Sequence, residues 1–321
     1  MKLGVLTVPL QDMEAKDAFT YLAGLGVQSI ELGAGCYTND RHLDPAHLVG
    51  DKAKIAAFKS MVKDCGLEIS ALSCHGNPVH PDAVRAKNDH EVFLRACDVA
   101  QALGVDTVVT FSGCPGDGAD AHSPNWITCA WPEDYPKLLE WQWNEVLIPY
   151  WKTASSAAAE RGIRRIALEM HPGFMVYNPG TLKRLRAAVG DSIGANFDPS
   201  HLIWQGVDIP AAIRSMKGCI YHFHAKDTFI DPQNARVNGV LDTGSMEKLE
   251  NRSWYFRTVG YGNDAKFWKD VVSALRLADY DRSISIEHED AFMSGREGLE
   301  KAVSFLKGII IQEKPGAAYW A

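Results

Sequence analysis

The chain has 321 residues, 46% of them hydrophobic, with a formal net charge of −7 and a pI near 5.9. That length allows two ordinary domains or one α/β barrel, since barrels commonly run to ~250 residues or more. The acidic balance argues against a nucleic-acid partner or an anionic membrane surface, both of which call for a basic excess.

The opening MKLGVLTVPL has one lysine and then a short strand-like run, not the apolar core and small-residue cleavage site of a signal peptide. No run approaches the ~20 apolar residues that cross a bilayer. The seven cysteines, Cys36, Cys65, Cys74, Cys97, Cys114, Cys129 and Cys219, are odd in number and form no Cys-x-x-Cys pair. They read as reduced thiols, and a cytoplasmic location is expected.

From there the pattern alternates. Strand-like runs at 2–8, 27–32, 68–73, 105–111, 165–170, 192–197, 219–224 and 283–288 are each followed by a helical window. These windows lie near 14–25, 48–65, 88–103, 136–161, 179–189, 208–215, 264–277 and 296–311. Glycines at 26, 66, 104 and 162 stop helices just before the next strand, where a left-handed residue is needed. Eight such units predict a single-domain (β/α)8 TIM barrel over 1–312, with 313–321 as a C-terminal tail. No Gly-x-Gly-x-x-Gly follows the first strand, which weakens a dinucleotide-binding reading. Two long connections, 112–135 and 225–263, both follow strands and so overlie the face where barrel active sites are built.

Four strands end in polar groups: Glu169 in IALEMHP, Asp198 in IGANFDPSH, His224 in CIYHFHAKD and Glu287 in SISIEHED. Alternation puts Ala167, Glu169 and His171 on one face, Asn196 and Asp198 on one, His222 and His224 on one, and Ser285, Glu287 and Glu289 on one. Those faces can all point into the barrel. Three converging carboxylates raise one another's pKa unless a cation or shared protons compensate. Two Glu, one Asp and one His suit one divalent ion, manganese or magnesium first, with cobalt or zinc as alternatives.

ALEMHP, NFDPSH, HFHAKD, VGYGN and SIEHED, in that order, resemble the xylose-isomerase-like sugar isomerase/epimerase superfamily of TIM barrels. The resemblance implies that Glu169, Asp198, His224 and Glu287 hold one divalent ion, manganese by preference. It also implies that Glu169 and Glu287 act as acid and base on opposite faces of a carbohydrate. His201 is implied at a substrate oxygen or the metal shell, with Glu31 and His75 as further pocket residues. One departure stands out. Ketose 3-epimerases of the superfamily carry an arginine six residues after the metal-binding histidine, and here that residue is Ile230. Lys226 or Arg257 is the replacement candidate for contacting substrate, although a surface Lys226 paired with Asp227 is an equal reading.

The expected chemistry is proton abstraction next to a carbonyl of a keto-sugar or inosose, giving isomerisation or epimerisation through an enediolate. Trp126, Trp131 and Trp254 are candidates to close over the sugar. The alternative is a metal-dependent lyase or dehydratase on a keto-sugar, keto-glycoside or inosose. An abasic-DNA nuclease and a non-catalytic sugar-binding protein are weaker, the first because it needs a basic groove. A homo-oligomer is left open.

Overall fold

Strand and helix alternate along the chain in the computed structural model, which describes residues 1–314, 316–318 and 320. The strands are β1 (Lys2–Leu6), β2 (Ser29–Gly33), β3 (Glu68–Ser73), β4 (Thr107–Phe111), β5 (Arg165–Glu169), β6 (Ile193–Phe197), β7 (Ile220–Ala225), β8 (Asp227–Ile230), β9 (Trp254–Arg257) and β10 (Ser283–Ile286). Eight of them close a parallel barrel in the order β1-β10-β7-β6-β5-β4-β3-β2. The expected (β/α)8 barrel is therefore the fold. Of the expected tail, Pro315, Tyr319 and Ala321 lie outside the described residues.

The principal outer helices are α1 (Ala15–Gly24), α2 (Lys52–Asp64), α3 (Ala83–Leu103), α4 (Ile148–Glu160), α5 (Pro179–Val189), α6 (Ile209–Ser215), α7 (Ala265–Leu277) and α8 (Gly295–Lys307). Their starts are legible in side-chain caps. Asp82 accepts from the amides of Val84 and Arg85, and Asn178 forms a capping box with Thr181. The glycine stops at 26, 66, 104 and 162 all have φ between +75° and +82°. The main core lies between barrel and helices, with Trp151, Trp268, Phe19, Phe197 and Phe223 fully buried in it.

The structure departs from simple alternation in three places. The helical window at 136–161 is broken by a π-helical turn, Gln142–Leu147. There Gln142 turns inward, and its Nε2 donates to the carbonyls of Gly116 at 3.0 Å and Asn125 at 2.7 Å. The extra residue of a π turn thus anchors the long connection after β4. On β7 the register slips between Ala195↔Ile220 and Asn196↔His222, so Tyr221 is bulged. Its ring packs against Ala71, Val109 and Ala167, and its hydroxyl accepts from Arg186 of α5 at 2.8 Å. Finally, the connection 225–263 is not structureless. It holds the antiparallel pair β8–β9 and the helix Pro232–Asn238.

Asp227 secures that insertion to the barrel. It does not pair with Lys226. Its Oδ2 accepts from the amides of Gly260, Gly262 and Asn263 at 2.9–3.1 Å and from Trp268 Nε1 at 3.1 Å. These bonds gather the VGYGN turn around one fully buried carboxylate. Asp227→Ala would strand several buried donors at ~1–3 kcal/mol each, not fully additive. We expect a loss of about 3–5 kcal/mol and a fall in Tm of about 5–10 °C, read by thermal and urea denaturation.

Candidate metal centre and active site

The parallel sheet brings the C-terminal ends of β5, β6, β7 and β10 side by side, because these strands are consecutive neighbours around the barrel. Glu169 is the last residue of β5, and Asp198 follows β6 directly. His224 lies in β7, and Glu287 follows β10, its amide held by Ala225 O at 3.3 Å. One donor atom from each of these four residues lies within 4.8 Å of the other three. Glu169, Asp198 and His224 are buried.

His224 is oriented by its other nitrogen. Nε2 donates to Glu31 at 2.9 Å, which turns Nδ1 toward the carboxylates, 2.9 Å from Glu287 and 3.3 Å from Glu169. Such a partner fixes the tautomer of a ligating imidazole. Glu31 itself is fully buried below, and also accepts from His222 Nε2 at 2.8 Å, Ser285 Oγ at 2.6 Å and Ser73 Oγ. Burial opposes its ionisation, but His224 and His222 outweigh it and hold Glu31 well below the usual carboxylate range.

Glu169 accepts from His75 Nε2 at 2.8 Å, Asn196 Nδ2 at 2.9 Å and His201 Nε2 at 3.2 Å. Burial again works against the charge, yet His75, His201 and His224 keep Glu169 well below its ordinary pKa. His201 also lies 3.3 Å from Asp198. Its burial favours the neutral ring, but Asp198 raises its pKa to about 9.

Lys226 is the surprise of the site. It is 2% exposed, and its Nζ lies 3.1 Å from Asp198, 2.9 Å from Glu287 and 2.9 Å from Glu289. It also sits 4.6 Å above the Phe256 ring. Burial disfavours its charge, but Asp198, Glu287 and Glu289 reverse that and hold the ammonium well above its ordinary pKa. The surface reading of Lys226 is therefore wrong. Asp198 Oδ2 and Glu287 Oε2 are buried and make no well-aligned hydrogen bond, but both are ion-paired: Lys226 Nζ lies 3.1 and 2.9 Å away, His201 Nε2 is 3.3 Å from the first and His224 Nδ1 2.9 Å from the second. Two buried carboxylate oxygens held by ion pairs alone, beside an inward imidazole nitrogen, form a donor set that fits a divalent cation, with the Lys226 ammonium as its competitor.

A cavity of about 130 Å3 opens above, lined among others by His75, Glu169, His201, Lys226, Glu287 and Glu289. Arg257 does not line it. Its Nε donates to Asp290 at 3.0 Å and its guanidinium lies over Phe292. Glu31 acts from beneath, through His224. Of the three tryptophans considered as covers, Trp131 is 76% exposed and lines no described cavity, whereas Trp126 and Trp254 line a neighbouring one. Reading the strand ends alone passed over Asn196, His222, His171 and Glu289 as site residues. The alternation already placed all four on inward faces, so the signal was available.

The chain matches the family model for the xylose isomerase-like TIM barrel over residues 19–309. It is 36% identical over 314 residues to the uncharacterized protein YfiH of Bacillus subtilis (strain 168), covering 97% of this chain and 100% of that protein. Among solved structures, the IOLI protein with a binding zinc atom superposes with a TM-score of 0.66 at 18% identity, covering 97% of this chain and 98% of that one. The probable 3-DHS dehydratase AsbF from Bacillus anthracis gives 0.64 at 16% identity, covering 96% and 99%. D-psicose 3-epimerase with D-tagatose from Clostridium cellulolyticum H10 gives 0.61 at 15% identity, covering 96% and 98%. The closed barrel and the match across most of its length agree: this chain belongs to the xylose isomerase-like TIM barrel family.

Proposed function

We propose that the protein is a divalent-metal-dependent isomerase or epimerase of a keto-sugar or inosose, working by proton abstraction next to a carbonyl. The observation that carries the reading is the four-residue cluster of Glu169, Asp198, His224 and Glu287, one possible ligand atom from each lying within 4.8 Å of the others. These four would hold the ion, manganese by preference, with magnesium, cobalt or zinc as alternatives. When bound, the ion supplies a Lewis acid that polarises the carbonyl and offsets enediolate charge.

The chain's own residues divide the remaining work. Glu169 and Glu287 come from β5 and from the end of β10, with β6 and β7 between them around the barrel, a separation that supports their acting from two different sides of a substrate. One removes the proton and the other returns one, at the same carbon for epimerisation or the neighbouring carbon for isomerisation. His75, Asn196 and His201 hold Glu169 in place, each by a hydrogen bond. Lys226 stands where an ammonium can donate to a substrate oxygen as charge develops there.

A second reading, a metal-dependent lyase or dehydratase on a keto-sugar, keto-glycoside or inosose, is kept because a structural neighbour bears the name of a probable dehydratase. The same abstraction opens both routes. In deuterated water, deuterium uptake without elimination supports the isomerase, and an unsaturated product supports the lyase.

Glu169→Gln and Glu287→Gln should each lower turnover by at least about a thousandfold, with circular dichroism unchanged. Full activity in both would remove the acid–base pair. Exhaustive chelation with EDTA should abolish turnover, and Mn2+ should restore it, with one equivalent bound by elemental analysis. Lys226→Met should lower kcat yet tighten Mn2+ binding by about tenfold or more in calorimetry, since the carboxylates lose a competing cation.

A further inference from the structure

A second cavity of about 460 Å3 adjoins the first, and His171 and His201 line both. Their rings are 4.0 Å apart and form the shared wall. The far walls come from the two long connections and the residues after β6: Trp126, Trp204, Leu241, Met246, Trp254 and Phe256. Trp204 and Trp254 stack with centroids 4.7 Å apart and planes 3° from parallel. This is a rigid aromatic wall beside the acidic centre.

Two of these indoles carry an unspent donor. Trp126 Nε1 and Trp204 Nε1 are buried without a hydrogen-bond partner among the described residues, and Trp204 is only 7% exposed. The indoles of Trp151, Trp254 and Trp268 all donate to a carbonyl or carboxylate. A buried N–H without an acceptor costs ~1–3 kcal/mol, so its persistence in a cavity wall points to a ligand oxygen. Aromatic faces with a few fixed donors match a sugar ring, which offers C–H faces and hydroxyl oxygens. Size agrees. The acidic cavity alone, at about 130 Å3, is smaller than the ~300–1,000 Å3 usual for ligand pockets, and the adjoining space extends it into that range.

We propose that the substrate is a keto-sugar joined through a glycosidic bond to a second ring. The reacting ring occupies the acidic cavity and the second ring lies in the aromatic cavity. This rests on the keto-sugar reading above and narrows it to glycosides.

The test uses the full-length, Mn2+-loaded protein and three unreactive probes: glucose, cellobiose and phenyl β-D-glucoside. Binding is followed by tryptophan fluorescence and calorimetry. At least one two-ring probe should bind tenfold or more tighter than glucose, and the better of the two tells whether the second ring is a sugar or an aryl group. Leu241→Arg, at a residue 72% exposed, should reduce that ratio at least fivefold with unchanged Tm. Trp204→Phe, which keeps a ring and removes the donor, should lower cellobiose affinity more than glucose affinity. Equal affinity for all three probes, or an undiminished ratio in Leu241→Arg, overturns the second subsite. Deuterium exchange into keto-sugars and their glycosides is scored separately. Two-ring binding without any exchange sinks the isomerase reading and leaves the subsite standing, while exchange with equal probe affinities does the reverse.

Discussion

Negative charge inside a closed barrel is the constraint on which this site depends. Glu31, Glu169, Asp198 and Glu287 approach one another in the upper half of the barrel, and three of them are essentially inaccessible to water. Water cannot stabilise them there, so each must find compensation within a few ångströms. The neighbouring strands supply it in layers. His222 and His224 serve Glu31. His75, His201 and Asn196 serve Glu169. Lys226 serves Asp198 and Glu287. Almost every polar group on the inward faces of β5, β6, β7 and β10 is committed to this balance. The Asp198 and Glu287 oxygens that Lys226 faces make no well-aligned hydrogen bond, and a divalent cation fits there in competition with the ammonium.

The lysine shows how the balance is tuned. Lys226 stands directly after β7 and is buried against Phe256 of β9. Its position depends on the hairpin β8–β9, which depends in turn on Asp227 gathering the VGYGN turn. Two adjacent ionisable residues thus point opposite ways, one toward the reaction centre and one into the scaffold. The strand geometry at 225–227 makes that split unavoidable, since successive side chains alternate.

Much of this was legible in the sequence, for identifiable reasons. The barrel was visible because helix stops recur at glycines that need positive φ, and because eight periodic units leave few other parallel architectures. The cluster that could hold a metal was visible because alternation places polar residues of four strands on one side. The fate of Lys226 was not, because KD at a strand end is equally compatible with a surface pair. Arg257 looked like a site residue from its loop, yet Asp290, distant in sequence, captures it. The bulge at Tyr221 follows from a register slip between two strands, and a single strand's sequence carries no record of its neighbour's register.

The two glutamates do not stand in equal surroundings, and this bears on how the proposed reaction divides between them. Glu169 is 3% exposed and accepts three side-chain hydrogen bonds, which fix its position and keep it ionised. Glu287 has a side chain 16% exposed and faces the cavity, with its Oε2 2.9 Å from both His224 Nδ1 and Lys226 Nζ. A base held by three donors is pre-oriented, at the expense of basicity, because each donor favours its charged form. A carboxylate at the cavity edge keeps more contact with solvent. On that asymmetry Glu169 is the oriented member of the pair. Glu287, with the Lys226 ammonium 2.9 Å away, is the more solvent-accessible member.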